Sequence, residues 1–405
     1  MKVLLLDDLP AVALEQLKAQ GFSFVVAKAA DNAVDMVKTH APQALVVRSR
    51  KVTSEILDAG PGITLVVRAG SGVDTIDLPG CSRRGVFVAS CAGKNAAAVA
   101  ELVFGLILAL DRRIPEAAVQ LKDARWNKKA LAAPARGLMG RVLGVLGMGA
   151  IGRLVAERGK AFGMRVVAWD PLAKPEMAEV WGVELLSQPD DVAAFSDVVS
   201  VHLALTPQTR GLCGKNFFSA MRRGSVFINA SRGELLDEPA LLAALDARDL
   251  RAGLDVFAGE PSGGEATFEN ALARHPRVVA TPHLGASTQQ AQDAIALETV
   301  RILREYRDTG RVPTAVNLAR ATPATHLLTV RHLDRVGVLA HVLNGLRAAG
   351  VNVQEMENVI FDGAHAALAR IHLDRAVEKP TLDTIQAANG DILELRLIAL
   401  TPAAR

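Results

Sequence analysis

Arg141-Val-Leu-Gly-Val-Leu-Gly147-Met148-Gly149-Ala150-Ile151-Gly152 opens a pattern that closes on Met164–Trp169 and Asp170. Read in order, it is a short apolar strand, a glycine turn, a helix, and a second strand ending on a carboxylate. Between the glycines and that strand, Val155, Ala156 and Phe162 recur at helical spacing. Each part has a reason if phosphates bind there. Gly147 permits a tight turn, Gly149 lets the backbone approach a pyrophosphate, and Gly152 lets the helix pack on the strand. The anion then meets the free N–H groups and the positive end of a helix. Asp170, roughly 20 residues past the glycines, can bind a ribose 2′-hydroxyl. The same carboxylate repels a 2′-phosphate, so the pattern favours NAD over NADP. A structural βα turn or a methyltransferase could share the glycines, but the flanking strand and helix favour the dinucleotide.

Outward from this turn, strands are expected at Val198–His202, Ser225–Asn229, Gly253–Val256 and Val278–Thr281, with helices between most of them. Alternating β and α elements imply a doubly wound parallel sheet of Rossmann type, with ligands outside the carboxyl ends of its strands. Residues 1–97 read as a smaller α/β domain with strands at Lys2–Leu6, Phe22–Val26, Ala44–Val47, Leu65–Arg68 and Phe87–Ala89. Ala96–Arg112 is almost continuously apolar and reads as a buried helix, and Thr288–Thr309 reads as another. Gly310–Thr325, with Pro313 and Pro323 and little periodicity, reads as a linker. The tail from His326 alternates as βαββαβ, a ferredoxin-like order.

Of the 405 residues, half are apolar and 4% aromatic, so the cores are built from Val, Leu, Ile and Ala, as parallel sheets require. The net charge of +3 is scattered, with no basic run interleaved with aromatics, which argues against nucleic acid as a partner. Cys81, Cys91 and Cys213 are odd in number and far apart, so neither a disulfide framework nor a metal site is expected. Acid arrives at Asp7, too early for a signal peptide, and Leu102–Leu110 is too short to span a bilayer. These features point to a cytoplasmic protein with no membrane partner.

Four residues in loops at strand ends carry chemistry: Arg232, Asp255, Glu260 and His283. Moving hydride to or from an alcohol carbon needs a base for the hydroxyl proton, and histidine fits. Glutamate fits the group that orients the imidazole. Arginine fits the substrate carboxylate, because its planar fork can grip it with two bonds. Singly, each could be a surface ion pair, a helix cap or a solvated loop residue. Grouped downstream of a dinucleotide turn, they favour catalysis.

Gly-Val-Leu-Gly-Met-Gly-Ala-Ile-Gly, Ile228-Asn-Ala-Ser-Arg232-Gly-Glu, Gly253-Leu-Asp255-Val-Phe-Ala-Gly-Glu260-Pro and Thr281-Pro-His283-Leu-Gly285-Ala-Ser-Thr resemble the D-isomer-specific 2-hydroxyacid dehydrogenases, most of all those acting on 3-phospho-D-glycerate. The resemblance implies an NAD-dependent oxidation to 3-phosphohydroxypyruvate, the first step of L-serine synthesis. It makes His283 the acid/base, Glu260 its partner and Arg232 the carboxylate binder. Met148, Ala150 and Ile151 then line the pyrophosphate turn with the glycines, and Asp170 meets the adenosine ribose. Asp255 contacts the nicotinamide carboxamide, while Thr209, Ala230 and Gly285 also approach the cofactor.

On the substrate side the resemblance implies Ser71, Gly72 and Asn95 at the carboxylate and Arg48 and Arg68 at the phosphate. Lys128 and Lys129 would add charge from a neighbouring subunit of a homodimer or homotetramer. The resemblance further implies a discontinuous, flavodoxin-like substrate domain, residues 1–97 completed by about 289–318, around an NAD domain at 98–288. After a linker at 319–325, residues 326–405 resemble an ACT regulatory domain, with His332, Asp334 and Asn352 at positions that bind an amino-acid effector such as L-serine. Three departures concern fine contacts. Asn95 is followed by Ala96 where a hydroxyl residue is common, Ala204 replaces a common proline, and Asp334 stands in place of an asparagine. A dehydrogenase for another D-2-hydroxy acid (glycerate/hydroxypyruvate or glyoxylate) and a non-catalytic NAD-sensing binding protein are the alternatives.

Overall fold

Short apolar runs become strands buried on both faces, because alternate side chains point to opposite sides and helices cover each side. The computed structural model describes residues 1–133, 135–261, 265–319 and 322–400. They divide into two units, Met1–Asn317 and Leu318–Arg405.

The first unit holds two parallel sheets. In the first, β1 (Lys2–Leu5), β2 (Ser23–Val26), β3 (Ala44–Val47), β4 (Leu65–Arg68) and β5 (Phe87–Ser90) run in the order β2-β1-β3-β4-β5. Val3 and Leu5 face one core and Leu4 and Leu6 the other. Helix Gln289–Thr309 closes the first of these cores with Ile295, Val300, Ile302 and Leu303. Each such leucine or isoleucine, fully removed from water, contributes roughly 1.5–3 kcal/mol.

The second sheet contains β6 (Val142–Leu146), β7 (Arg165–Trp169), β8 (Glu184–Leu185), β9 (Val198–Val201), β10 (Val226–Asn229), β11 (Arg251–Leu254) and β12 (Val278–Ala280). Their order, β12-β11-β10-β9-β6-β7-β8, reverses between β6 and β9. The glycine turn follows β6, so it sits at the switch point where such sheets bind ligands. Helix Ala96–Arg112 packs Val103, Phe104, Ile107 and Leu110 on one face of this sheet. Its one buried charge, Asp111, is paired with Arg141 at 2.9 Å and accepts from the Gly137 N–H at 3.0 Å. Burial at that site is tolerated because the two opposite charges pair, although Arg141 Nε has no partner among the described residues.

In the second unit, β13 (His326–Leu333), β14 (Val353–Ile360), β15 (Ala366–Leu373) and β16 (Ile392–Ala399) form an antiparallel sheet ordered β14-β15-β13-β16. Helices Val338–Ala348 and Lys379–Ala387 cover one face around Leu328, Val330, Val342, Ile371 and Ile385. This is the βαββαβ arrangement expected from the tail.

The structure differs from the sequence reading in three places. Strand β8 was missed because it is two residues long, with no alternation to read. Helix Ile114–Lys122 was missed although Ile114, Ala117, Ala118 and Leu121 recur at helical spacing, and helix Lys128–Ala132 was missed because five residues are too few to show a period. The start of the expected linker is instead part of the first unit. Val316 N–H donates to Val88 O at 2.8 Å, and Asn317 Oδ1 accepts from Val88 N–H at 2.9 Å. Residues 320 and 321 of the expected 319–325 linker lie outside the described residues.

Candidate active site

His283 occupies a left-handed backbone conformation at φ +53°. Non-glycine residues adopt that region at a cost of roughly 1–3 kcal/mol, which the surroundings must offset. They do so through Asp255, whose side chain is 1% exposed. Its Oδ1 accepts from Thr281 Oγ1 at 2.5 Å and Leu284 N–H at 2.7 Å, and its Oδ2 accepts from Gly285 N–H at 2.9 Å. Its carbonyl accepts from the His283 N–H at 2.8 Å. Burial pushes the Asp255 carboxyl above its ordinary pKa, against these bonds. The carboxylate therefore clamps the 281–285 turn. A nicotinamide carboxamide at Asp255 would have to share it with those donors.

The His283 ring stands 2.7 Å from Glu260, Nδ1 to Oε2. Glu260 Oε1 accepts from the Phe257 N–H at 2.8 Å. Burial works to raise the Glu260 pKa, but the His283 ring, the Phe257 N–H and the charge of Arg232 outweigh it and hold it low. An ionised carboxylate only accepts, so Nδ1 carries a proton, and in the neutral ring Nε2 presents a lone pair. The side chain of His283 is 48% exposed, so Nε2 can be reached.

Arg232 comes from the loop after β10. Buried Asn229 shapes that loop, donating from Nδ2 to Arg232 O at 2.9 Å and accepting from Ser231 N–H at 3.0 Å. Ser231 Oγ donates to Val201 O at 2.7 Å and ties the loop to β9. The Arg232 guanidinium reaches the loop after β4 and pairs with Asp74 at 3.0 Å. A Cβ at Gly72 would overlap its Nη2. Beside it, Arg68 lies over Gly70, where any Cβ would overlap the guanidinium. Burial, then the charge of Arg232, pull the Arg68 pKa below its ordinary value, and Arg48 adds to this. Among the described residues, Arg68 Nε is buried without an acceptor. Ser71 Oγ donates to Asn95 Oδ1 at 2.7 Å, which joins two further expected substrate residues.

Arg48 and Arg50 have separate fates. Arg50 is committed to structure, donating to the carbonyls of Asp31 at 2.8 Å and Ala29 at 3.0 Å. Arg48 is exposed, and its backbone N–H donates to Asp7 Oδ2 at 2.7 Å. Lys128 and Lys129 are exposed on their short helix, and among the described residues no side-chain bond ties them to Arg232 or His283.

The glycine turn fits a pyrophosphate. Gly147 has φ +93°, and a Cβ there would come 2.8 Å from the His202 carbonyl. At Gly152 a Cβ would overlap the Gly147 carbonyl, while around Gly149 the space is open. Helix Ala150–Ala161 has no side-chain cap, so its first N–H groups are left for an anion. Met148 is buried, Ala150 is exposed, and Ile151 is half-buried against the core under the sheet. Asp170 Oδ2 accepts from Met148 N–H at 2.7 Å, bridging the turn to the end of β7. Ala230 is half-buried in the loop after β10. Thr209 is buried, and its hydroxyl donates to Ala204 O at 2.7 Å.

Residues 104–285 match the family model described as "D-isomer specific 2-hydroxyacid dehydrogenase, NAD binding domain". A D-3-phosphoglycerate dehydrogenase of Mycobacterium tuberculosis is 40% identical over 314 residues, covering 77% of this chain. The chain spans only 58% of that relative's length. A solved protein of Thermus thermophilus is 32% identical, with a TM-score of 0.69, covering 78% of this chain and all of that one. The NAD⁺-bound 3-phosphoglycerate dehydrogenase of Entamoeba histolytica is 25% identical at a TM-score of 0.65, covering 78% and 99%. The chain belongs to the D-isomer specific 2-hydroxyacid dehydrogenase family. Its seven-stranded sheet lies in an NAD-binding domain.

Within one chain, His332 and Asn352, two of the expected effector residues, lie at opposite ends of the antiparallel sheet. His332 is 2% exposed, with Nδ1 2.7 Å from Leu333 O and Nε2 3.3 Å from Asn358 Oδ1. Asn352 precedes β14 and is bonded to Asp374 at the far end of the sheet. The register aligns His332 with Ala367 and Ile360, and His326 with Leu373 and Val353. Six residues of strand, roughly 20 Å, separate the two positions. Asp334 is exposed in the loop after β13. A ligand shared by His332 and Asn352 would need a second copy of the chain.

The sequence reading also missed Asp74, Asn229, Ser231 and Thr281. A signal existed for Asn229 and Ser231, since Asn and Ser at a strand end form tight side-chain turns. Asp74 stands two residues past Gly72, but nothing in the sequence says it reaches Arg232.

Proposed function

We propose that the protein oxidises 3-phospho-D-glycerate to 3-phosphohydroxypyruvate with NAD. The reading rests on one observation above the others. Arg68, with a buried donor left unpaired among the described residues, stands beside Arg232 and within electrostatic range of Arg48. A 2-hydroxy acid needs one guanidinium for its carboxylate, and a phosphate ester rewards two more. The curated relative's name as a D-3-phosphoglycerate dehydrogenase supports the same substrate.

Bound NAD, held by the turn Gly147–Gly152 and by Asp170, supplies the hydride acceptor. The chain's own residues do the rest. Arg232 grips the carboxylate and polarises the reacting carbon's substituents. His283 Nε2 takes the hydroxyl proton, and Glu260 stabilises the imidazolium that results. Asp255 holds the turn that sets the ring's position. Arg48 and Arg68 hold the phosphate away from the reacting centre. The large exposed side chains Ile114, Val119, Leu121 and Trp126 support association with a second copy.

Side-by-side assays of NADH formation with 3-phospho-D-glycerate, D-glycerate and D-lactate test the proposal. The phosphorylated acid is expected to have the highest kcat/KM, by at least about a hundredfold, since two charge-assisted contacts contribute roughly 1.5–3 kcal/mol each. Equal rates with D-glycerate would overturn the phosphate assignment, and no turnover of any of them would overturn the enzymatic reading.

A further inference from the structure

Asp74 and Arg232 come from different sheets. Asp74 follows β4, and Arg232 follows β10. Arg232 Nη2 donates to Asp74 Oδ1 at 3.0 Å, and Arg232 Nε lies 3.3 Å and 3.4 Å from the two carboxylate oxygens. This is a side-on grip on the guanidinium. A second hold comes from behind, where Nη1 donates to Ser231 O at 2.7 Å. Five N–H bonds radiate from a guanidinium, and the side-on grip leaves a donor on each of Nη1 and Nη2 beyond those in use. Those terminal donors form the end of the fork, an edge that can take a carboxylate with two bonds. Gly72 allows the arrangement, because a Cβ there would occupy the place of Nη2. Burial works to raise the Asp74 pKa, but Arg232 and Arg68 outweigh it, so the carboxyl titrates below its ordinary value.

We propose that Asp74 is the positioning residue of Arg232, its side-on grip aiming the free end of the guanidinium fork at the carboxylate of the 2-hydroxy acid. The inference rests on Arg232 as the carboxylate binder and adds a residue that never touches the substrate. Alignment and charge act in opposite directions here. Deleting a negative charge beside an anion site strengthens ground-state binding, so charge alone would lower KM. Losing the alignment removes an interaction that matters most as the oxyanion develops, so it lowers kcat.

Asp74→Asn keeps one acceptor without the charge, and Asp74→Ala keeps neither. The expected result is a kcat about tenfold lower for Asn and lower still for Ala. KM for the hydroxy acid is expected to be equal or smaller, and KM for NAD unchanged. The pair is partly exposed, so the melting temperature should stay within about 2 °C of wild type. In an Arg232→Lys background, which has no fork to align, Asp74→Asn should add no further loss of kcat. A second readout needs no turnover. The Arg232 Nε–H resonance, identified by its disappearance in Arg232→Lys, should be protected from solvent exchange in the substrate-free protein and lose that protection in Asp74→Ala. An unchanged or higher kcat in both Asp74 variants would overturn the proposal. So would an equal loss in the Arg232→Lys background, or an Nε–H signal that stays protected in Asp74→Ala. If the wild-type protein oxidises no 2-hydroxy acid, the proposed function falls, and the Nε–H signal still decides whether Asp74 fixes Arg232.

Discussion

His283→Ala is expected to lower kcat by roughly a hundredfold to ten-thousandfold, while NAD still binds within about twofold of wild type. The expectation follows from geometry. Nδ1 is engaged by an ionised Glu260 at 2.7 Å, which leaves Nε2 as a proton acceptor on an accessible ring. Alanine removes the acceptor and the positive charge that would form on it. The glycine turn is built on β6 and helix Ala150–Ala161, and it does not depend on the 281–285 turn. Cofactor binding should therefore survive. Steady-state rates and NADH fluorescence titrations measure the two quantities separately. A loss of less than tenfold in kcat would mean that another group takes the proton.

Arg68→Met is expected to reduce kcat/KM for 3-phospho-D-glycerate by about 10–100-fold, with D-glycerate changed by less than about threefold. Methionine keeps an apolar stem of similar length over Gly70 and removes only the guanidinium. Arg68 is held beside Arg232, whose like charge Asp74 only partly offsets, and among the described residues its Nε has no partner. Such an arrangement is costly unless an anion completes it. Arg48→Ala should have a smaller effect in the same direction, because Arg48 is exposed and its interaction is screened. Equal losses with the phosphorylated and unphosphorylated acids would assign Arg68 to the fold and not to the phosphate.

Much of this architecture was legible because its signals are local. Gly147 needs positive φ, Gly152 has a carbonyl where its Cβ would be, and four-residue Val/Leu runs bounded by polar turns are too short for helices and read as buried strands. The identity of Arg232, Glu260 and His283 was legible as chemistry at strand ends. Their mutual geometry was not, because it depends on contacts between residues as far apart as Asp74 and Arg232. Asp255 shows the same limit. The resemblance implied a cofactor contact, and what it did not report is that the fold gives three of the carboxylate's acceptor sites to Thr281, Leu284 and Gly285. The helix at Lys128–Ala132 escaped because five residues are too few to show a period, whereas that at Ile114–Lys122 carries a helical spacing of Ile114, Ala117, Ala118 and Leu121 that went unread. The positions of His332 and Asn352 at opposite ends of the sheet were not legible, because strand register is set by pairing across the whole sheet, which short motifs do not report.

A crystal structure of the protein with NAD and 3-phospho-D-glycerate bound tests the proton-transfer site most directly. The expected complex has His283 Nε2 within about 3.2 Å of the substrate hydroxyl. It also has the Arg232 fork on the substrate carboxylate, and Arg68 on the phosphate. A substrate seated in the cleft with its hydroxyl remote from the imidazole and its carboxylate held by other groups would contradict it.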